Sequence, residues 1–335
     1  MKRLVILIFT AMLMMSSAFA ETTTQTKPGA QPGQNERQGE HGMREDGGNR
    51  GGAGGMTTSE PDEELQAILN EVQDKYQLLT FVDPETGFEM QYELFVPEIT
   101  DNVDKVPMIM FIPDSRAAGR EPAFSLTIGW GGVIWATAQE QAKHPCYVLI
   151  PVFTETVVDD NFNTSSQIDT AVRLIQHLSE TYPIDTDRLY TTGQSMGGMT
   201  SFHLNVKYPD LFAASLFVGS QWNNEILDVL EKDTFFYIVS AGDNKASTGQ
   251  IGLKAVFDRD GVPYAQSEWS AQDDRAAQND AVEVMLMKGM TANFITFTKG
   301  TTLTGGASGG SEHLTSFDYA YKLESVRDWL FEQNK

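Results

Sequence analysis

Residues 188–198, RLYTTGQSMGG, hold a serine whose setting suits covalent chemistry. Ser195 stands between Gly193 and Gly197, in the pattern Gly-x-Ser-x-Gly. A serine hydroxyl is a poor nucleophile until a neighbouring base takes its proton. In this pattern the small residues allow a strained strand-to-helix turn, which lifts the hydroxyl out at its tip. The pattern alone does not decide the matter, because residues 306–310, GASGG, match it too. Context separates the two. Ser195 follows a short β-prone run, 188–192, and precedes a helix-prone stretch from Met196 to Tyr208 that Pro209 closes. Ser308 sits in a glycine- and threonine-rich loop with neither. Ser195 is the candidate nucleophile.

A base and an acid must lie within reach of it. The chain has five histidines. His41 falls in a glycine-rich, polar tract. His177 and His203 sit within helical patterns. His144 precedes an apolar strand and so lies at the amino end of the sheet. His313 follows the last apolar strand, 292–298, and precedes the last helical pattern, which puts it at the carboxyl end. Elimination leaves His313 as the base. Asp243 directly follows the apolar run 234–242, TFFYIVSAG, and is the candidate acid. Asp273, Asp274 and Asp280 lie in a polar stretch that reads as a solvated face, and Asp260 lies in a turn. The order serine, acid, histidine is the chain order expected when such a site is built on an α/β sheet.

An oxyanion needs two main-chain donors. One expectation is the N–H of Met196. The other lies in the loop after the strand 106–113, at Asp114 or Ser115. Pro113 has no N–H to offer, and a carboxylate at Asp114 would oppose a developing negative charge unless it points away. Gln221 and Trp222 follow the strand 211–219 at its carboxyl end, where, with Gln194, they either shape a substrate pocket or pack under a loop. Trp130 and Trp135 read as packing residues. HExxH and Walker A patterns are absent, and no metal or cofactor is expected.

These residues need a scaffold that presents several strand ends to one point. Residues 1–20, with Lys2 and Arg3 before a short apolar run and Ala18-Phe-Ala20 at its end, read as a secretory signal peptide. The run is too short for a membrane span. Residues 21–60 carry almost no large apolar side chains and read as a disordered Gly/Pro/Gln-rich linker. Residues 61–335 are expected to form one catalytic domain. Its near-continuous apolar strands alternate with amphipathic helices, which predicts an α/β fold with a mostly parallel sheet covered on both faces. The formal charge is −22, and −24 without Lys2 and Arg3. Such a surface is a poor partner for nucleic acid or anionic membranes. The single cysteine, Cys146, lies in an apolar run and excludes an internal disulfide.

Taken together, the segments resemble the α/β-hydrolase superfamily. Within it the likeness is to secreted esterases of the polyhydroxybutyrate-depolymerase and feruloyl-esterase type, also described as prolyl-oligopeptidase-like. The residues that carry it are YELFVP (92–97), the 106–113 strand with its loop, AKHPCYVLIPVF (142–153), DTDRLYTTGQSMGGMTSFHLNVKYPDLFAA (185–214), SAGD (240–243), and EHLTSFDYAY with VRDWLFEQ near the end. The resemblance implies an exported serine carboxylesterase in which Ser195, His313 and Asp243 act as nucleophile, base and acid. Its substrate would be a small-molecule or polysaccharide-linked ester. The chain departs from the pattern at Pro113-Asp114 and in the long stretch between Asp243 and His313. Two other readings stay open: a serine peptidase on the same fold, and a non-catalytic binding protein that kept it.

Overall fold

The computed structural model describes residues 62–98, 104–303 and 311–335. The expected signal peptide, the expected linker, His41 and Ser308 lie outside them. The chain opens with helix α1 (Glu63–Val72), which Asp62 caps by accepting from the Leu65 N–H at 2.7 Å. The sequence predicts this helix as far as Leu78. It ends earlier because Tyr76 to Val82, rich in aromatic and β-branched residues, extends as strand β1. A turn at Pro84–Gly87 returns the chain as β2 (Glu89–Phe95) in an antiparallel hairpin.

From there strands and helices alternate. Strands β3 (Val106–Ile112), β4 (Tyr147–Pro151), β5 (Ile184–Gln194), β6 (Ala214–Val218), β7 (Phe235–Ser240), β8 (Ala265–Trp269) and β9 (Ala292–Phe297) complete the sheet. The helices are α2 (Phe124–Thr127), α3 (Ala138–Lys143), α4 (Gln167–Thr181), α5 (Met196–Lys207), α6 (Asn244–Asp260), α7 (Arg275–Leu286), α8 (Glu312–Tyr321) and α9 (Glu324–Glu332). Among the described residues none is long and apolar enough to cross a membrane.

The nine strands run in the order β1-β2-β4-β3-β5-β6-β7-β9-β8. Pairings from β4 onward are parallel, and β1 and β2 pair antiparallel at one edge. Both faces are covered, as the continuous apolar strands require. Along β3, Ile109 and Phe111 enter one core with Trp135, Tyr321 and Leu330, whereas Met108, Met110 and Ile112 enter the other with Phe202 and Phe217. Trp130 and Trp135 are buried packing residues, as read from the sequence.

Beyond the shortened α1, one element differs from the sequence reading and two lie where it gave none. The closing segment, predicted as one helix over 317–333, is two helices that break at Lys322–Leu323. Strand β8 has no apolar run to announce it. It is the sheet's edge, with Gln266 and Glu268 exposed between buried Ala265 and Trp269. Residues Asn224–Lys232 form a 3-10 segment under α6, where Gly252 lets the chain come against Asn224.

Candidate active site

The carboxyl ends of β3, β5, β6, β7 and β9 meet on one side of the sheet, where α/β proteins hold their ligands. Ser195 sits between β5 and α5 with φ 52° and ψ −119°, a conformation that L residues rarely adopt. Glycines make room for it. A Cβ on Gly193 would lie 2.3 Å from the Gly197 carbonyl carbon, and one on Gly197 would lie 1.8 Å from the Ile112 oxygen. One on Gly198 would lie 2.4 Å from Ser220 Oγ. The serine itself is pinned by its N–H to the Val218 carbonyl at 3.0 Å.

Asp243 caps α6, accepting from the Ala246 N–H at 3.2 Å. Its other oxygen meets His313 Nδ1 at 2.5 Å, and His313 Nε2 lies 2.8 Å from Ser195 Oγ. The three candidates therefore form one hydrogen-bonded line. Asp243 is buried and His313 is about one-third exposed, 34%, which leaves the imidazole open to a ligand. His313 stands on the first turn of α8, not in the loop that the sequence suggested. Its ring packs edge-on to Phe317 at 5.0 Å, and Phe317 in turn packs on Gly219.

The other histidines have structural partners. His144 meets Asp328 at 2.8 Å and stacks on Phe331. His177 packs on Phe81, and His203 lies beside Trp222 with its pKa lowered, chiefly by burial. Asp273, Asp274 and Asp280 are exposed. Glu140, His144 and Asp328 come close enough together to suggest a cation site. Arg327 and Lys143 already neutralise these carboxylates, which makes the cluster an ion-pair network joining α3 to α9.

The loop after β3 turns at Ser115–Ala117 and lies against the first turn of α5, through the Gly197 contact with Ile112 and Pro113. Among the described residues no acceptor takes the main-chain N–H of Asp114, Ser115 or Met196. The Asp114 side chain is turned away and neutralised. Arg116 grips it with Nε and Nη2, both at 2.8 Å, and Gln194 Nε2 donates to it at 2.8 Å. Burial alone would raise this carboxyl; the Arg116 guanidinium outweighs it, and with Gln194 holds the group below the usual carboxylate range. The sequence reading missed Arg116. The signal was present as Asp-Ser-Arg two residues apart, since a buried acid needs a cation nearby.

Gln194 is not a pocket residue. It is fully buried beneath the β3 loop, because the parallel register that pairs Gly193 with Ile112 carries Gln194 alongside Asp114. Gln221 and Trp222 do line a cavity of about 560 Å³, together with Asp160, Phe162, Asn244 and Lys245. Its lining begins one residue beyond Asp243, at Asn244. Phe162, another residue missed from sequence, sits at the tip of a narrow loop that an isolated Val158–Thr164 bridge closes. It has φ 63° and meets the Trp222 ring edge-on at 5.3 Å. Lys245 clips this loop to α6 through Asp160 at 2.5 Å.

Residues 159–318 match the Esterase family, described as "Putative esterase". Among curated proteins there is no match. Among solved structures, the chain superposes on a thermostable esterase with a TM-score of 0.62 at 23% identity, covering 79% of this chain. It spans 64% of that protein's length. A structure described as "FAE" aligns with a TM-score of 0.51 at 13% identity, over 80% of this chain and 91% of the other. The sheet order, the helices on both its faces and the superposition on the thermostable esterase give this chain the α/β-hydrolase fold, and the segment that matches the Esterase family takes in Ser195, Asp243 and most of α8.

Proposed function

We propose that the protein hydrolyses carboxylic esters by acyl transfer to Ser195. The observation that carries this reading is the hydrogen-bonded line from Ser195 Oγ through His313 to Asp243. His313 Nε2 takes the hydroxyl proton as Oγ bonds to the ester carbonyl carbon. Asp243 holds the Nδ1 proton in place and stabilises the imidazolium that forms. The oxyanion is met by the N–H groups of Met196 and Ser115, with Asp114 N–H beside them and the positive end of α5 behind. Collapse breaks the carbon–oxygen bond, and His313 returns its proton to the leaving alcohol. Water then attacks the acyl-serine with His313 again as base, which releases the acid and restores Ser195.

Two further observations support the reading. The Asp114 carboxylate, the residue least suited to an oxyanion loop, is satisfied by Arg116 and Gln194 and so does not oppose charge development. The cavity walled by Phe162 and Trp222, with amides at its rim, begins one residue beyond Asp243 and would give an ester seated there apolar faces on one side. The signal-like residues 1–20 support export, so that the substrate is an ester met outside the cytoplasm. The N-terminal sequence of protein recovered from the exported fraction tests that point, and a chain still beginning at Met1 would overturn it.

Hydrolysis of p-nitrophenyl acetate and butyrate, measured beside Ser195→Ala, tests the chemistry. Loss of turnover by at least about 10⁴-fold in the variant is expected. Equal rates in the two proteins would remove the proposal. Phe162→Ala is expected to shift the preference among acyl and aryl esters while leaving Ser195-dependent turnover in place.

A further inference from the structure

We infer that Glu312 is a positioning residue for the proposed triad, clamping the turn that carries the acid to the helix that carries the base. The inference rests on the triad reading above. Glu312 opens α8 and immediately precedes His313. Its Oε2 accepts from Ser240 Oγ at 2.6 Å and from the Gly300 N–H at 2.9 Å. Ser240 ends β7, and the turn from Ser240 to Asp243 is closed by the Asp243 N–H on the Ser240 carbonyl at 3.1 Å. Ser240 Oγ also lies 3.4 Å from the Gly242 N–H. One carboxylate thus joins the acid's turn, the turn after β9 and the residue next to the base.

Gly242 records how closely this is built. A Cβ there would fall 1.8 Å from Glu312 Oε1 and 2.0 Å from its Cδ. The carboxylate fills a space that only glycine leaves, one residue before Asp243. The Asp243–His313 hydrogen bond fixes one point of the imidazole and Phe317 bounds its face, but neither fixes the backbone that carries the ring. The Glu312 clamp fixes the backbone on both sides of the bond, which holds Nε2 at bonding distance from Ser195. Glu312 makes no contact with Ser195, so its effect reaches the reaction only through the placement of His313. A misplacement of about 1 Å in such a group costs on the order of 10²-fold in rate.

The test is kcat and KM on p-nitrophenyl acetate, normalised to serines titrated with a phosphonate ester, for wild type, Glu312→Ala, Glu312→Gln and Gly242→Ala, with Ser195→Ala as the blank for both titration and turnover. Glu312→Ala is expected to lower kcat about 10- to 100-fold with KM changed less than about threefold. Glu312→Gln keeps an oxygen able to accept both hydrogen bonds and is expected to restore kcat to within about threefold of wild type. Gly242→Ala sets a methyl where the carboxylate lies and is expected to reproduce the Glu312→Ala loss. Wild-type kcat per titrated serine in both Glu312→Ala and Gly242→Ala, even with a lowered Tm, would reduce Glu312 to a structural contact and overturn the inference. Where those two variants do not fold, Ser240→Ala removes one of the two bonds. A fall in kcat of about three- to tenfold at constant KM supports the clamp, and an unchanged kcat overturns it. Absence of Ser195-dependent turnover in the wild type would remove the triad reading, and the positioning role with it.

Discussion

Replacing Arg116 with methionine separates charge from packing at the oxyanion loop. The side chain of Asp114 is 2% exposed and that of Arg116 is 16% exposed. Two guanidinium bonds at 2.8 Å would be lost, while the Gln194 bond and the main-chain bond from residue 116 would remain. Breaking a buried pair by removing one partner costs about 3–5 kcal/mol. The two surviving bonds put the expected loss near the lower end, about 3 kcal/mol at pH 8, or a Tm lower by roughly 6–12 °C. The loss depends on pH, and its sign follows from the carboxyl. In the wild type the folded value lies below the unfolded one, so the stability it contributes is present above about pH 4 and fades as pH falls through the folded value. Without the guanidinium, burial prevails and the folded value rises above the unfolded one. The variant is then most stable in acid and weakens as pH rises. The gap between the two proteins should therefore widen from about 1 kcal/mol at pH 4.5 to about 3 at pH 8 in urea unfolding. An uncompensated anion beside the oxyanion should also lower kcat about tenfold or more at pH 8, with little change in KM. Asp114→Asn combined with Arg116→Met removes the stranded charge and should recover most of the stability. A loss independent of pH, or a double variant no better than the single one, would refute the charge argument.

Other outcomes are as specific. Asp243→Asn should lower kcat by on the order of 10³- to 10⁴-fold, because an amide no longer fixes the imidazole tautomer; a loss under tenfold in a pre-steady-state assay would exclude Asp243 as the acid. Ser195→Gly should abolish turnover yet raise stability by about 1 kcal/mol, since glycine adopts the residue's positive φ without strain. A variant no more stable than wild type in urea would mean that the turn holds no strain. Burial, with Asp210 nearby, raises the Asp233 carboxyl to about 7, and Asp233 Oδ2 has no hydrogen-bond partner among the described residues. A raised value favours the folded state in acid, and that stability is lost as pH climbs from about 4 through 7. Asp233→Asn should therefore be the more stable protein at pH 8, by about 1–2 kcal/mol after allowance for partial exposure, and no better near pH 4. Equal unfolding midpoints at pH 8 would count against it.

What could be read from the sequence divides along a physical line. Apolar runs such as 106–113 and 234–242 announce buried parallel strands, and the short polar segments after them announce the strand ends. Ser195 and Asp243 could be nominated because each stands just past such a run, and His313 because elimination left it as the histidine between the last strand and the last helical pattern. Strand β8 could not, because an edge strand with Gln266 and Glu268 in solvent lacks the apolar signature. The break at Lys322–Leu323 was hidden because both helices keep the same apolar spacing toward one core. Gln194 was misassigned because position beside a nucleophile does not say which side of the sheet a side chain takes; the β3 register decides that. Glu312 was unreadable for a different reason. Its partners Ser240 and Gly300 lie 72 and 12 residues away, and the role depends on a carboxylate occupying the space beside Gly242.

Cys146 offers the chain a built-in reporter. It lies just before β4, an interior strand between β2 and β3, is 1% exposed, and meets the Gln141 amide at 3.4 Å. Burial pushes its thiol far above the ordinary range. A thiol reagent in solution can reach it only when the core around β4 and α3 opens. With one such group in the chain, every labelling event has the same origin. When reclosing outruns the reagent, the labelling rate is the intrinsic thiol rate multiplied by the open fraction, on the order of 10⁻⁶ for an opening free energy of about 8 kcal/mol. The same cysteine thus serves as an unlabelled clock for the breathing of the sheet in the wild-type protein, against which each variant can be timed.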